Sequence, residues 1–326
     1  MMPMSMPMSS RLFRFAAQRL SPAGRRARLT ILIYHRVLAT PDALQPEILD
    51  SDAFNAQLRL LSACFNVLPL AKAVDALKHD TLPARSACIT FDDGYADNLT
   101  QALPVLQKNR LHATFFIATD YLDGGRMFND TVIEAVRRAP DGEHDLQGFG
   151  RYRFASMDDR VSAIRNILPK VKYLPPLERA ERAAEIARQL GCGVLPADLM
   201  MTTGQLRLLH AAGMEIGAHT ASHPILTRLP DADAMDDILC GKQRLEHLLK
   251  NGIRLFAYPN GRPGQDYLAV HVAMLREIGF AGAVSTASGV ATRETDPYQL
   301  PRFSPWSRNQ TRATLMLLRN LVQRQP

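Results

Sequence analysis

The sequence predicts an α/β fold: a β/α barrel of seven or eight strands, incomplete or distorted, with one helical insertion. Three observations predict it. Short apolar, β-rich runs alternate with longer stretches of helical periodicity. The runs are apolar on consecutive residues, as expected of strands buried on both faces of a parallel sheet. Polar side chains suited to chemistry recur just past the C-terminal ends of the runs, the rim where a β/α barrel builds its active site. The chain has 326 residues, 46% of them hydrophobic, enough for one large core.

Taken in order, residues 1–28 form a basic tail that reads as disordered or loosely docked. Within it, Arg11 to Leu20 has the pattern of a short basic amphipathic helix suited to an anionic membrane surface. Residues 29–310 make the barrel. Its strands are expected at Leu29–Tyr34, Phe65–Leu68, Ala87–Phe91, Ala113–Ala118, Met214–Ala218, Leu255–Tyr258 and Phe280–Val284, with a weaker eighth at Gln299–Phe303. Asp231 can cap a helix whose apolar residues recur at Met235, Ile238, Leu239, Leu245, Leu248 and Leu249, and Asn251-Gly252 stops it. A second helix opens at Asp266, runs through Tyr267, Val270, Met274 and Ile278, and ends before Gly279. Between Tyr121 and Met214 no strand pattern is evident. About 127–200 is read as a helical insertion over one end of the barrel, with helices at Asp158–Leu168 and Leu177–Leu190 and a loop around Asp141–Gly150. Residues 311–326 are expected to form a C-terminal helix.

The net charge is +7, yet residues 1–41 hold seven arginines (Arg11, Arg14, Arg19, Arg25, Arg26, Arg28 and Arg36) and no acid, so residues 42–326 sum to zero. The body has no basic excess for a phosphate backbone, and no nucleic-acid partner is expected. No early apolar run is long enough for a secretory signal. The expected location is therefore cytoplasmic, with peripheral contact at the inner membrane surface through the tail. Nothing in the sequence implies a protein partner. Cys64, Cys88, Cys192 and Cys240 form no C-x-x-C pair and read as reduced and mostly buried.

The chemistry is carried by two separated motifs, Thr90-Phe91-Asp92-Asp93-Gly94 and His219-Thr220-Ala221-Ser222-His223-Pro224. Alone, each has an ordinary reading: Asp-Asp-Gly is a common turn, and paired histidines are common on surfaces and in cores. Both, however, follow predicted strands. His35, Asp120, Pro259 and Asn260 share that rim. A spacing of four brings His219 and His223 to one side of a helical turn, and one carboxylate completes a three-ligand divalent metal site with an open position. Neighbouring carboxylates on an extended backbone point apart. One can ligate while the other takes a proton from water.

This set resembles the polysaccharide deacetylases, the NodB-homology domains of carbohydrate esterase family 4. The two motifs match in full, and the likeness extends to Ala113-Thr114-Phe115-Phe116-Ile117 and to Tyr34-His35-Arg36-Val37, covering most of residues 29–303. The resemblance implies a distorted (β/α) NodB-like barrel that removes acetyl groups from N-acetylated amino sugars in a glycan or glycolipid. It implies Asp92 as general base and Asp93, His219 and His223 as ligands of one divalent ion, with Zn2+ the best match to that donor set. The family's third motif is altered to Phe256-Ala257-Tyr258-Pro259-Asn260-Gly261, a variant similar to a branch acting on exopolysaccharides, including poly-N-acetylglucosamine. Ala257 stands where the family has an Arg that orients the base, and Arg302 is the proposed substitute. The Asn260 N–H is assigned to the oxyanion. His35, Tyr258, Pro259 and Asp130 are candidate substrate contacts. The family often supplies a late histidine as general acid, yet no histidine follows His271, itself expected on a helix surface. Asp92 is then expected to serve as both base and acid. The absent Arg and His also fit a rival, a catalytically weak or inactive carbohydrate-binding protein that keeps the metal site. A glycoside hydrolase is disfavoured, because adjacent carboxylates do not straddle a sugar.

Overall fold

Seven parallel strands carry the fold in the computed structural model, which describes residues 8–304 and 307–323. The strands are β1 (Leu29–Tyr34), β2 (Asn66–Val67), β3 (Ser86–Phe91), β4 (Thr114–Ile117), a separate pair β5 (Gly142–Leu146) and β6 (Gly150–Phe154), then β7 (Glu215–Ala218), β8 (Leu255–Ala257) and β9 (Gly282–Val284). The helices are α1 (Met8–Leu20), α2 (Ser51–Cys64), α3 (Leu70–Lys78), α4 (Leu103–Lys108), α5 (Phe128–Arg138), α6 (Met157–Lys172), α7 (Pro176–Gln189), α8 (Thr203–Ala211), α9 (Asp231–Leu249), α10 (Ala269–Ile278) and α11 (Gln310–Val322).

The main sheet runs β1-β3-β4-β7-β8-β9, with β2 also paired to β3. β1 and β3 are buried at every residue, which explains their unbroken apolar runs. The expected eighth strand is a seam rather than a strand. Leu300 bridges Val284 of β9, and Phe303 bridges Leu32 of β1. Between them sits Pro301, which has no N–H to give a ladder. The seam thus links the two edges of a curled sheet. On one side of the sheet Phe91 stacks on Phe115 at 4.7 Å and on Tyr34 at 5.3 Å, with Phe54 of α2 set edge-on against both Tyr34 and Phe91.

The insertion is not purely helical. Residues expected as a loop around Asp141–Gly150 belong to an antiparallel hairpin, β5 on β6. Within the two strands only Leu146 and Phe154 are buried, so each strand lacks the alternation that betrays a half-buried strand. Leu146 and Phe154 join Val136, Ile167 and Ile186 in an apolar cluster separate from the barrel core.

The tail is better ordered than a loose arm. Phe13 and Ala17 of α1 are buried in the main core, and the carbonyl of Ser21 accepts from the Arg85 N–H. Residues 1–7 of the expected tail and 324–326 of the expected C-terminal helix lie outside the described residues. Asp231 begins α9 rather than capping it. Cys64 and Cys88 are buried, Cys192 is half-buried and Cys240 is exposed. Among the described residues no helix is long and apolar enough to cross a membrane.

One glycine decides how a helix meets the rim. A Cβ on Gly241 of α9 would lie 2.5 Å from the carbonyl of Thr220, in the loop after β7. Gly241→Ala is expected to destabilise the fold by about 1–3 kcal/mol through overpacking. The same change at Gly193, where nothing lies within 4 Å, should leave the thermal midpoint within error, so equal midpoints for the two variants would contradict the close approach.

Candidate active site

β3 delivers Asp92 and Asp93 to the rim, and one torsion separates their fates. Asp92 continues the ladder, its N–H donating to Tyr34. Asp93 has φ 78°, in the left-handed region, which sends the two carboxylates to different partners. Asp92 meets Arg302, contributed by the seam. Arg302 Nη1 and Nη2 donate to the two carboxylate oxygens at 2.7 Å each. The guanidinium is itself fixed by Ser285 O at 2.9 Å and Thr90 Oγ1 at 3.2 Å. Neither side chain is appreciably exposed. Burial alone would raise the Asp92 pKa. Arg302, helped by His219 and His35, outweighs burial and holds it below the usual carboxylate range.

Asp93 turns to the histidines. His219 Nε2 and His223 Nε2 lie 3.4 and 3.3 Å from Asp93 Oδ1, long for charge-assisted hydrogen bonds. They match the separation of ligands on a tetrahedral ion whose bonds are about 2.0–2.1 Å, for which the edge is about 3.3–3.4 Å. Asp93 Oδ1 is buried with no hydrogen-bond partner in the protein, and the three ligand atoms all lie within 4.8 Å of one another. The residues fit a divalent cation. Bonding between His219 Nδ1 and the Ala257 carbonyl at 2.7 Å leaves the Nε2 lone pair facing the site. Burial would lower the His219 pKa, but Asp93 and Asp92 outweigh it and raise it. Burial pushes His223 down to about 3, so it stays neutral.

The histidine pair is not on a helical turn, as its spacing suggested. Thr220 and His223 have φ 64° and 54°, and the loop is held from outside. Thr220 Oγ1 accepts from the His223 N–H at 3.0 Å. Asp237 of α9 accepts from Ala221 N, Ser222 N and Ser222 Oγ at 2.8, 3.1 and 2.6 Å. Arg179 of α7, stacked over Phe128, donates to the His223 carbonyl at 2.9 Å. Sequence reasoning missed Asp237 and Arg179. Each sits in a helix where a charged residue is unremarkable, and no motif marks either.

The other expected contacts divide. His35 lines a cavity of about 240 Å3 beside Asp93, with Arg36, Tyr95 and Asn129. Asn260 follows β8 with φ 60°, its carbonyl accepting from Thr286 Oγ1 at 2.6 Å and its side-chain Nδ2 buried without an acceptor. Pro259 is buried beside it. Tyr258 is corrected: it is fully buried, stacked on Tyr267 at 3.7 Å, with its hydroxyl donating to the Tyr298 carbonyl. Side chains alternate along a strand, and Tyr258 falls on the core side. Asp130 is buried behind Tyr95, whose hydroxyl donates to it at 3.0 Å, and burial pushes its carboxyl up to about 7. It supports the cavity wall rather than facing the cavity. Asp120 is at the surface, paired with Arg244. His271 is buried, not superficial, with Nδ1 accepting from the Leu268 N–H.

Without a cation, a proton on His219 offsets the charge of Asp93. A cation must displace that proton, so zinc affinity should weaken by about tenfold per pH unit once the pH falls below the His219 pKa, which lies above 6.5. Competition with a chromogenic chelator measures this, and a flat affinity between pH 8 and 5.5 would contradict it.

The chain resembles known proteins in sequence and in fold. Residues 79–150 and 184–281 match the polysaccharide deacetylase family. YxkH of Bacillus subtilis (strain 168), a protein named as a polysaccharide deacetylase, is 34% identical over 278 residues, 85% of this chain and 71% of its own length. Two solved structures share the fold. The Streptococcus pyogenes deacetylase PplD in complex with acetate has a TM-score of 0.61 at 18% identity, covering 91% of this chain and 99% of its own. IcaB from Ammonifex degensii has 0.57 at 18%, covering 92% and 98%. With both rim motifs in place on this barrel, the chain belongs to the polysaccharide deacetylase family of NodB-homology proteins.

Proposed function

We propose that the chain is a metal-dependent amidohydrolase that removes N-acetyl groups from N-acetylhexosamine units of a glycan or glycolipid. The observation that carries this reading is a buried carboxylate, Asp92, clamped by Arg302 beside a cluster of one carboxylate and two imidazoles that fits a cation. Asp93, His219 and His223 would hold the ion, and zinc suits that donor set. When bound, such an ion polarises the acetamide carbonyl and makes water a better nucleophile.

The protein's own groups supply the proton transfers. Asp92 is deprotonated at neutral pH and takes a proton from the attacking water. The same carboxyl, once protonated, is our assignment for returning that proton to the departing amine, since no histidine follows His271 in the sequence. The main-chain N–H of Asn260 is our assignment for the oxyanion. The cavity bounded by His35, Arg36, Tyr95 and Asn129 receives the sugar that carries the acetamide.

Acetate release from N-acetylglucosamine oligomers tests the proposal, together with metal analysis of the purified protein. Asp92→Asn should lower turnover by at least ~100-fold, the scale of a lost general base, with metal content unchanged. Metal-loaded wild-type protein that releases no acetate from a panel of N-acetylated sugars would refute it.

Arg302 acts through Asp92, so it is a positioning residue. Arg302→Ala should lower kcat/KM at least ~10-fold and move the acidic limb of its pH profile upward, because the Asp92 carboxyl loses the cation that holds it down. Arg302→Lys should restore part of both effects. An unmoved limb would remove Arg302 from the mechanism.

A further inference from the structure

The two ends of the described chain meet on one flank of the barrel. α1 packs against α11, and both pack against α2. Arg28 ties them together by donating to the Leu321 carbonyl of α11. Their charge is of one sign. Residues 1–41 hold seven arginines, residues 303–326 hold four, and neither segment contains an acid. Against a total of +7, the intervening residues 42–302 are left at −4. An acidic barrel thus carries its basic charge on adjoining terminal segments. Arg36 and Arg308 are engaged by Asp97 and Asp50. Arg14, Arg19, Arg312 and Arg319 are exposed.

Large apolar side chains stand among these arginines. Phe15 is 59% exposed, Leu315 61% and Val322 53%. In α11, Arg312, Leu315, Arg319 and Val322 recur at spacings of three, four and three, which places them on one stripe. Ala313, Leu317 and Leu321 face the core instead. In α1, the exposed Phe15 and Arg19 lie opposite the buried Phe13 and Ala17, and the exposed Arg14 flanks them. Bulky apolar groups interleaved with arginine, without an acid, are the composition of a helix that lies in a membrane interface. Its apolar residues enter the acyl boundary and its cations meet lipid phosphates. A nucleic acid would use the charge but leave Phe15, Leu315 and Val322 in water. We propose that the α1–α11 flank is a docking surface for a bilayer rich in anionic phospholipid.

The test is sedimentation of the full chain with vesicles of phosphatidylcholine alone, and of phosphatidylcholine mixed with phosphatidylglycerol. It needs no catalytic activity, so its outcome is independent of the assigned reaction. The protein should sediment with the mixed vesicles, release as salt is raised, and stay in solution with the neutral ones. Each exposed arginine contributes roughly fivefold to partitioning. Replacing Arg14, Arg19, Arg312 and Arg319 together by Gln should therefore lower it by at least ~100-fold, with the thermal midpoint unchanged. The triple variant Phe15→Ser, Leu315→Ser, Val322→Ser should also weaken vesicle binding at low salt while leaving retention on an RNA homopolymer column unaltered. Failure to bind the mixed vesicles, equal binding to both compositions, or undiminished binding of the serine variant would overturn the proposal. So would retention on RNA that exceeds vesicle binding.

Discussion

The site turns on the backbone between Asp92 and Asp93. Two carboxylates in sequence would repel each other if they shared a pocket, and burial would protonate at least one of them. The left-handed torsion at Asp93 removes the conflict by aiming the side chains into separate environments. Asp92 enters a cage built by an arginine. Asp93 enters a cage built by two imidazoles. Among the described residues nine non-glycine positions have positive φ, and four of them (Asp93, Thr220, His223 and Asn260) lie in the three loops that form the site. Each costs about 1–2 kcal/mol relative to ordinary backbone, and Thr220, being β-branched, is the least tolerant of the four. Strain concentrated in this way persists only where the surroundings over-determine the loop. Asp237, Arg179 and the close approach of Gly241 are those surroundings.

The Arg302–Asp92 pair links chemistry to barrel closure. Arg302 lies between Leu300, which bridges β9, and Phe303, which bridges β1. The guanidinium therefore reaches Asp92 only when the seam is formed. A buried ion pair contributes little net stability, yet losing one partner costs about 3–5 kcal/mol because the other stays buried and charged. The pair thus enforces one register of the seam, and that register places the Asp92 carboxylate.

Much of this was legible in the sequence, for a physical reason. Strands buried on both faces read as plain apolar runs, so β1, β3, β4 and β7 stand within a residue of their expected limits. Residues just past those runs fall on one rim whatever the details of packing. That is why Asp92, Asp93, His219 and His223 are legible in the sequence, whereas Arg302 is legible only from its place near the end of the expected last strand. What escaped was orientation and support. Tyr258 has the composition of a sugar contact but points into the core, a choice set by the parity of β8. β5 and β6 are mostly polar, with one buried residue each at their ends, so periodicity had little to detect. Asp237 and Arg179 act through main-chain groups of the histidine loop, and a main-chain partner leaves no trace in side-chain patterns.

The insertion has its own apolar cluster and reaches the histidine loop through the Arg179 hydrogen bond to the His223 carbonyl. A module with an independent interior can change length and surface across evolution without unsettling the barrel beneath it. The wall above the rim is hydrogen-bonded to the loop of His219 and His223 at the main-chain oxygen of His223.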